Sequence, residues 1–368
     1  MSLPLPKDEL PEKVARFGDP DAPVAAKTMA AKGLVPVKGG DLVTLLVQLA
    51  ADPNEQVADA ASETLSGVPE GVLAAAAGAE LHPLILDGLV EHVRGKVAIL
   101  QELVANRTTP PETVARVARW ADELTCERIA TDQVRLLENP KIIEALYLNK
   151  NTRMSTVDRL VELCARNGVE LTGVATFEAH VQAIQGQLII DEPLDEPLPD
   201  DIDFKEVGEL DADDDAVSSD KVDGTEEVKD THLPLAQKIK NWPIPKKIRM
   251  TLVGNAAARS LLVRDSNKTV CMAAISSPAM TDGEAARIAI SKQISEDVLR
   301  YIGNRRDWLG NYEVKRNLVF NPKTPMGVSM KFLSHLRAND LKSLSRSKGI
   351  PASLRTAATQ RLNKKKRA

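Results

Sequence analysis

The chain has 368 residues, 43% hydrophobic, 27% charged and only 3% aromatic, with a net charge of −4. That length suffices for two or three globular units or one long repeat array, and a composition dominated by Ala and Leu favours helix over strand. Three scattered cysteines, Cys126, Cys164 and Cys271, argue against a disulfide framework and fit a reducing cytoplasm, and no apolar stretch reaches membrane-spanning length.

The chain opens with "MSLPLPKDELPEKV", which carries early charge and no apolar core, so no secretory signal is expected. Residues 1–41 contain several prolines and glycines and are expected to be only partly ordered. A helical lobe is expected over 42–190. Within it "DPNEQV" at 52–57 places an aspartate to cap a helix whose apolar stripe runs Val57, Ala60, Ala61, Leu65. "DSNKTV" at 265–270 repeats the phrase, and Leu354, Ala357, Ala358 and Leu362 repeat the stripe.

A second phrase recurs. "NRTTP" at 106–110 and "NPKTP" at 321–325 each follow an apolar run; "NKNTR" at 149–153 and "SPAMTD" at 277–282 are looser copies. Asn tolerates the left-handed conformation that ends a helix, Thr caps the next helix, and Pro fits its first turn. Helix breaks are therefore expected near Asn106, Asn149, Ser277 and Asn321. Asn106 and Asn149 are 43 residues apart, and Ser277 and Asn321 are 44 apart. That spacing falls within the period of two- or three-helix repeats, roughly 40–47 residues.

The net charge hides an asymmetry. Residues 191–230 contain eighteen acidic and three basic residues, whereas 231–368 contain twenty-seven basic and eight acidic. Residues 191–235 lack sustained apolar periodicity and repel themselves, so they read as a disordered acidic linker. A basic helical lobe is expected over 236–362, with a basic tail at 363–368.

"ADPNEQVADAASETL" resembles the second helix of a HEAT repeat. "GNAAARSLLVRDSNKTV" at 254–270, "SEDVLRYIGNRRDWLGNYEVKRNLVFNPKTP" at 295–325 and "LRANDLKSLSRSKGIPASLRTAATQRL" at 336–362 resemble a group of uncharacterised bacterial proteins with such repeats. The resemblance implies an all-α fold, an α-solenoid of HEAT-like repeats in two lobes joined by the acidic linker. It implies no activity.

No catalytic, cofactor or metal set is expected. His82, His92, His180, His232 and His335 are scattered, and the cysteines read as small core residues. Asp211, Asp213 and Asp215 match the start of a calcium loop, but Ala216 and Val222 stand where Gly and Glu are needed. The basic lobe carries the remaining signal. Arg300, Arg305, Arg306, Lys315, Arg316, Lys331, Arg337, Arg346, Arg355 and Arg361 are candidate contacts for an acidic partner, with Trp308 and Tyr312 as candidate stacking residues. In the plainer reading the two aromatics plug a repeat junction and the arginines solvate the outside; in a third reading the acidic linker folds back on the basic face and screens it. The expected function is a non-enzymatic cytoplasmic scaffold that binds other proteins and recruits acidic partners through its basic lobe. The alternative is nucleic-acid binding by that lobe, and an anionic membrane surface is a further candidate partner.

Overall fold

Short apolar stripes punctuated by Pro, Gly and Asn give many short helices rather than a few long ones. A computed structural model describes residues 3–189, 193–209, 216–219 and 226–367. The acidic run at 211–215 considered for calcium lies outside them. Among the described residues there are twenty-four α-helices, 67% of the chain is helical and there is almost no strand, so the fold is all-α as its composition implies. The strands among the described residues are β1 (Val217–Ser219) and β2 (Glu226–Val228), an antiparallel pair with Val217 opposite Val228. The chain divides into two compact units, Met1–Gly173 with Ile190–Asp195, and Val174–Ile189 with Glu196–Ala368.

The N-terminal unit contains α1 (Glu12–Gly18), α2 (Val24–Ala31), α3 (Gly39–Ala50), α4 (Glu55–Ser66), α5 (Glu70–Ala77) and α6 (Pro83–His92). It continues with α7 (Val97–Ala105), α8 (Pro111–Ala118), α9 (Glu123–Ala130), α10 (Gln133–Glu138), α11 (Pro140–Leu148) and α12 (Met154–Asn167). Helices pack on the next but one: α1, α3, α5, α7 and α9 form one row, and α2, α4 and α6 a second. Within the first row, helix starts are 26–31 residues apart. Packed neighbours therefore recur faster than the 43–44 residues that the recurring phrase suggests. The apolar pattern sets each helix's place. α3, in the first row, also packs on α2, α4 and α6 of the second and buries Val43, Leu45, Leu46, Val47 and Leu49. α4 buries Val57, Ala61 and Leu65 and leaves Ala60 half-buried. Residues 3–41 are more ordered than expected, because Val14, Ala30 and Ala31 bury α1 and α2 against α3 and α4.

The breaks fall at Asn106, Asn149, Ser277 and Asn321, but the asparagines act differently from expectation. Their φ angles are −69°, −82° and −83°, all extended rather than left-handed. Every described residue with positive φ is a glycine, such as Gly168, which ends α12 at φ 65°. It is the asparagine side chain that acts. Asn106 Nδ2 donates to Ala77 O and Ala79 O, both at 2.8 Å. Asn149 Nδ2 donates to Ala118 O at 2.8 Å and Ala121 O at 2.9 Å. Asn321 Nδ2 donates to Ala289 O at 2.8 Å and Ser291 O at 2.7 Å. In each case Oδ1 accepts the backbone N–H two residues on. The phrase thus fastens the end of one helix to the end of the helix packed beside it, satisfying carbonyls that a helix C-terminus leaves open. Thr109, Thr152 and Thr324 do not cap the following helices; the N-cap positions are Pro110, Arg153 and Pro325, none with a side-chain cap. Only in the loosest copy does threonine cap, where Thr281 and Glu284 form a reciprocal capping box on Asp282–Ile290.

Asn149→Ala strips the buried Ala118 carbonyl of its side-chain donor, while Ala121 O keeps the Asn151 Nδ2 donor at 2.9 Å; the change should cost about 2 kcal/mol, read by hydrogen exchange of the amides of α8 and α11. Asn106 is half-buried, so water can replace its side chain, and Asn106→Ala should cost about 1 kcal/mol. Equal costs at the two positions would contradict this account of the motif.

The C-terminal unit contains α13 (Phe177–Ile184), α14 (Pro199–Glu209), the β-pair, α15 (Leu233–Asn241), α16 (Ile244–Val253), α17 (Ala256–Leu262) and α18 (Lys268–Ser276). It continues with α19 (Asp282–Ile290), α20 (Glu296–Asn304), α21 (Tyr312–Phe320), α22 (Met326–Leu333), α23 (Ala338–Arg346) and α24 (Ala352–Arg367). Here α16, α18 and α20 form one row, and α15, α17, α19 and α21 another. In α24, Leu354 and Ala358 are buried and Ala357 is half-buried, which places the expected stripe.

The expectation of an unstructured 191–235 fails over 199–209. α14 packs on α16 and buries Phe204 and Val207. The Phe204 ring lies 6.3 Å from Trp242 and beneath the Arg249 guanidinium at 4.6 Å. Lys246 pairs with Asp200 at 3.1 Å, and Lys238 pairs with Glu206 at 2.7 Å. Two apolar residues one turn apart anchor this helix, and the basic side chains of α15 and α16 offset its self-repulsion. The ion pairs of this stretch are with α15 and α16. Phe204→Ala should cost about 3 kcal/mol and undock α14, seen as rapid exchange of the 201–209 amides. Unchanged protection there would contradict the anchoring role.

Candidate interface for acidic partners

The predicted basic residues lie on α20–α24 and the turns between them. Ser295 caps α20, and on that helix Arg300 pairs with Glu296 at 2.6 Å and Asp297 at 3.7 Å. Arg305 pairs with Asp307 at 3.4 Å and lies over the Trp308 ring at 5.5 Å. Trp308 is only 6% exposed, with its ring 6.1 Å from Tyr301. It therefore fills the junction after α20 and has no free face for a base, which corrects its candidacy as a stacking platform.

Tyr312 begins α21 and reaches across to α23. Its hydroxyl donates to Asp340 Oδ2 and accepts the Arg337 N–H at 2.9 Å, while the Arg337 guanidinium covers the ring at 4.5 Å. Arg316 completes the clamp on Asp340 at 3.0 Å. Tyr312 is thus engaged in holding α21 to α23, which again differs from a stacking role. Lys331 lies over Phe332 at 5.3 Å. Arg355 is half-buried, and its Nε has no hydrogen-bond partner. Arg306, Arg346 and Arg361 are exposed and Lys315 half-exposed, and among the described residues none has a carboxylate within ion-pair distance.

The clamp sets a pH window. Burial and the hydrogen bond to Asp340 raise the Tyr312 phenol above its usual range. Burial alone would raise the Asp340 carboxyl, but hydrogen bonds from Tyr312 and Arg316 outweigh it and lower the group. The Asp340 contribution is present above the ordinary carboxyl value of about 3.9 and is lost as pH falls through the lowered folded value. The Tyr312 contribution is present below about pH 10 and is lost as pH rises through the raised folded value. Tyr312→Phe should cost about 1 kcal/mol at neutral pH and flatten the alkaline limb of the stability profile. An alkaline limb identical to wild type would contradict the clamp.

Over residues 312–367 there are fourteen Lys and Arg and two acidic residues, Glu313 and Asp340. Asp340 is already held by Tyr312 and Arg316, so this end of the unit carries cations that it does not neutralise itself. Such a surface attracts anionic partners and raises their association rate. Elsewhere, Cys126, Cys164 and Cys271 are buried thiols outside any disulfide, and burial pushes Cys164 up to about 11. Among the described residues no group of three or more His, Cys, Asp and Glu is placed to hold a metal, and no helix is long and apolar enough to cross a membrane. His82 caps α6 through Nδ1. Comparison with protein-family models and with curated proteins finds no match.

Proposed function

We propose that the chain is an α-solenoid of HEAT-like repeats in two lobes and acts as a non-enzymatic cytoplasmic scaffold. Its basic C-terminal lobe docks acidic segments of partner proteins. The observation that carries this reading is the fourteen-to-two excess of basic over acidic residues at 312–367, with Arg306, Lys315, Arg346 and Arg361 lacking carboxylate partners among the described residues. Next-but-one helix packing in each unit and the asparagine ties between helix ends support the repeat part of the reading. Stacked repeats align equivalent positions into ridges, which suits extended partners. An acidic protein segment is preferred over nucleic acid because Trp308 is buried and Tyr312 is clamped, so neither aromatic is free to stack on bases.

The test is competition on the full-length chain between labelled polyglutamate and unlabelled duplex DNA, single-stranded RNA and anionic vesicles at matched charge concentration. Polyglutamate should bind saturably and resist displacement. Displacement by either nucleic acid at much lower concentration would overturn the choice of partner in favour of nucleic-acid binding; displacement by vesicles would favour a membrane surface.

A further inference from the structure

Three arginines distant in sequence, Arg107, Arg128 and Arg135, line one hollow of about 330 Å³ in the N-terminal unit. Arg107 follows the Asn106 turn, Arg128 lies in the last turn of α9, and Arg135 is on α10. Val104, Ile129 and Leu136 contribute an apolar part of the lining. An adjoining hollow of about 300 Å³ shares Arg107, Asp132 and Arg135 and adds Glu138.

Arg135 is fixed by backbone. Its Nη1 donates to Val104 O at 2.9 Å and Asn106 O at 3.2 Å, and its Nη2 donates to Thr109 O. A guanidinium has five N–H donors, so the Nε–H and one Nη2–H remain. Asp132, the one carboxylate lining the larger hollow, accepts the Arg135 backbone N–H at 3.2 Å as the cap of α10. Among the described residues no carboxylate lies within ion-pair distance of any of the three arginines. Burial pushes the Arg135 guanidinium below its ordinary value, Asp132 opposes this, and neighbouring Arg107 lowers it further. An anion in the hollow would offset that cost to the charge.

We propose that this hollow binds a small phosphorylated ligand whose phosphate oxygens meet Arg107, Arg128 and Arg135. Guanidinium forks match phosphate geometry, and a rigidly held arginine loses little freedom on binding. The volume is near the lower end of the range for small-molecule sites, about 300–1,000 Å³, which suits one compact monoester rather than a polymer. The apolar lining accommodates the organic part of such a ligand.

The test is calorimetric titration of the full-length chain with adenosine 5′-monophosphate and with inorganic pyrophosphate. Each should bind with one equivalent. Arg107 and Arg128 are exposed, so Arg107→Gln and Arg128→Gln leave the fold intact; each should weaken binding about tenfold, and the pair should abolish it. Arg116→Gln, which removes a partner of Asp87 outside the hollow, should leave binding unchanged. The proposal is overturned if neither phosphate binds at millimolar concentration, or if the double variant binds like wild type. Adenosine binding as tightly as its monophosphate would also overturn it.

Discussion

Lys27→Met should be among the most destabilising single substitutions, at about 3–5 kcal/mol, because it strips a buried carboxylate of its cation. Lys27 is 5% exposed; its ammonium donates to Pro20 O at 2.9 Å and pairs with Asp52 at 2.9 Å. Asp52 in turn accepts the Asn54 N–H at 2.9 Å, and Asn54 caps α4. The same device recurs in the C-terminal unit. Lys247 donates to Lys240 O at 3.1 Å and pairs with Asp265 at 2.8 Å, Asp265 accepts the Asn267 N–H at 2.8 Å, and Asn267 caps α18. In both, the carbonyl acceptor lies seven residues before the lysine. The phrase Asp-x-Asn therefore ties a loop, a buried lysine and a helix start together. Combining Lys27→Met with Asp52→Asn removes both charges and should recover most of the loss. Thermal denaturation of the single and double variants checks this; a single variant within about 1 kcal/mol of wild type would contradict it.

Reversing Arg346, Lys348, Arg361 and Lys364 to Glu should weaken polyanion binding by about two orders of magnitude or more at low salt, since every cation removed takes with it a share of the counterion release that drives binding. All four are exposed, and none has a carboxylate partner among the described residues, so the fold should tolerate the change. Reversing Arg300 and Arg305, which already pair with Glu296 and Asp307, should weaken binding much less. Equal weakening by the two sets would show that net charge alone governs binding.

The helical fold and its breaks are legible in the sequence because they are local: an apolar stripe such as Val57, Ala61 and Leu65 repeats within one helix, and Asn149 marks an end together with the apolar run before it and Thr152 after it. What each asparagine does is not legible. Its carbonyl partners lie 27–32 residues away, and only packing brings them to its side chain. Asp52 and Asp265 read as caps for the same reason, whereas the adjacent asparagine caps and the aspartate answers a lysine on another helix. α14 is hidden because eighteen acidic residues across 191–230 mask two anchors, Phe204 and Val207, whose value depends on Trp242 and Arg249. The basic C-terminal candidates are visible as charge, but their division into paired and unpaired cations is not. The hollow lined by Arg107, Arg128 and Arg135 has no local signature at all, since these residues come from a turn and two helices.

The most direct test of the scaffold reading is the salt dependence of polyglutamate binding by the intact wild-type chain and by the four-residue Glu variant. The account predicts saturable wild-type binding whose affinity falls steeply between about 50 and 200 mM salt, and loss of that binding in a variant that keeps its helical content. Wild-type and variant affinities that agree at low salt, or no wild-type binding there, would contradict it.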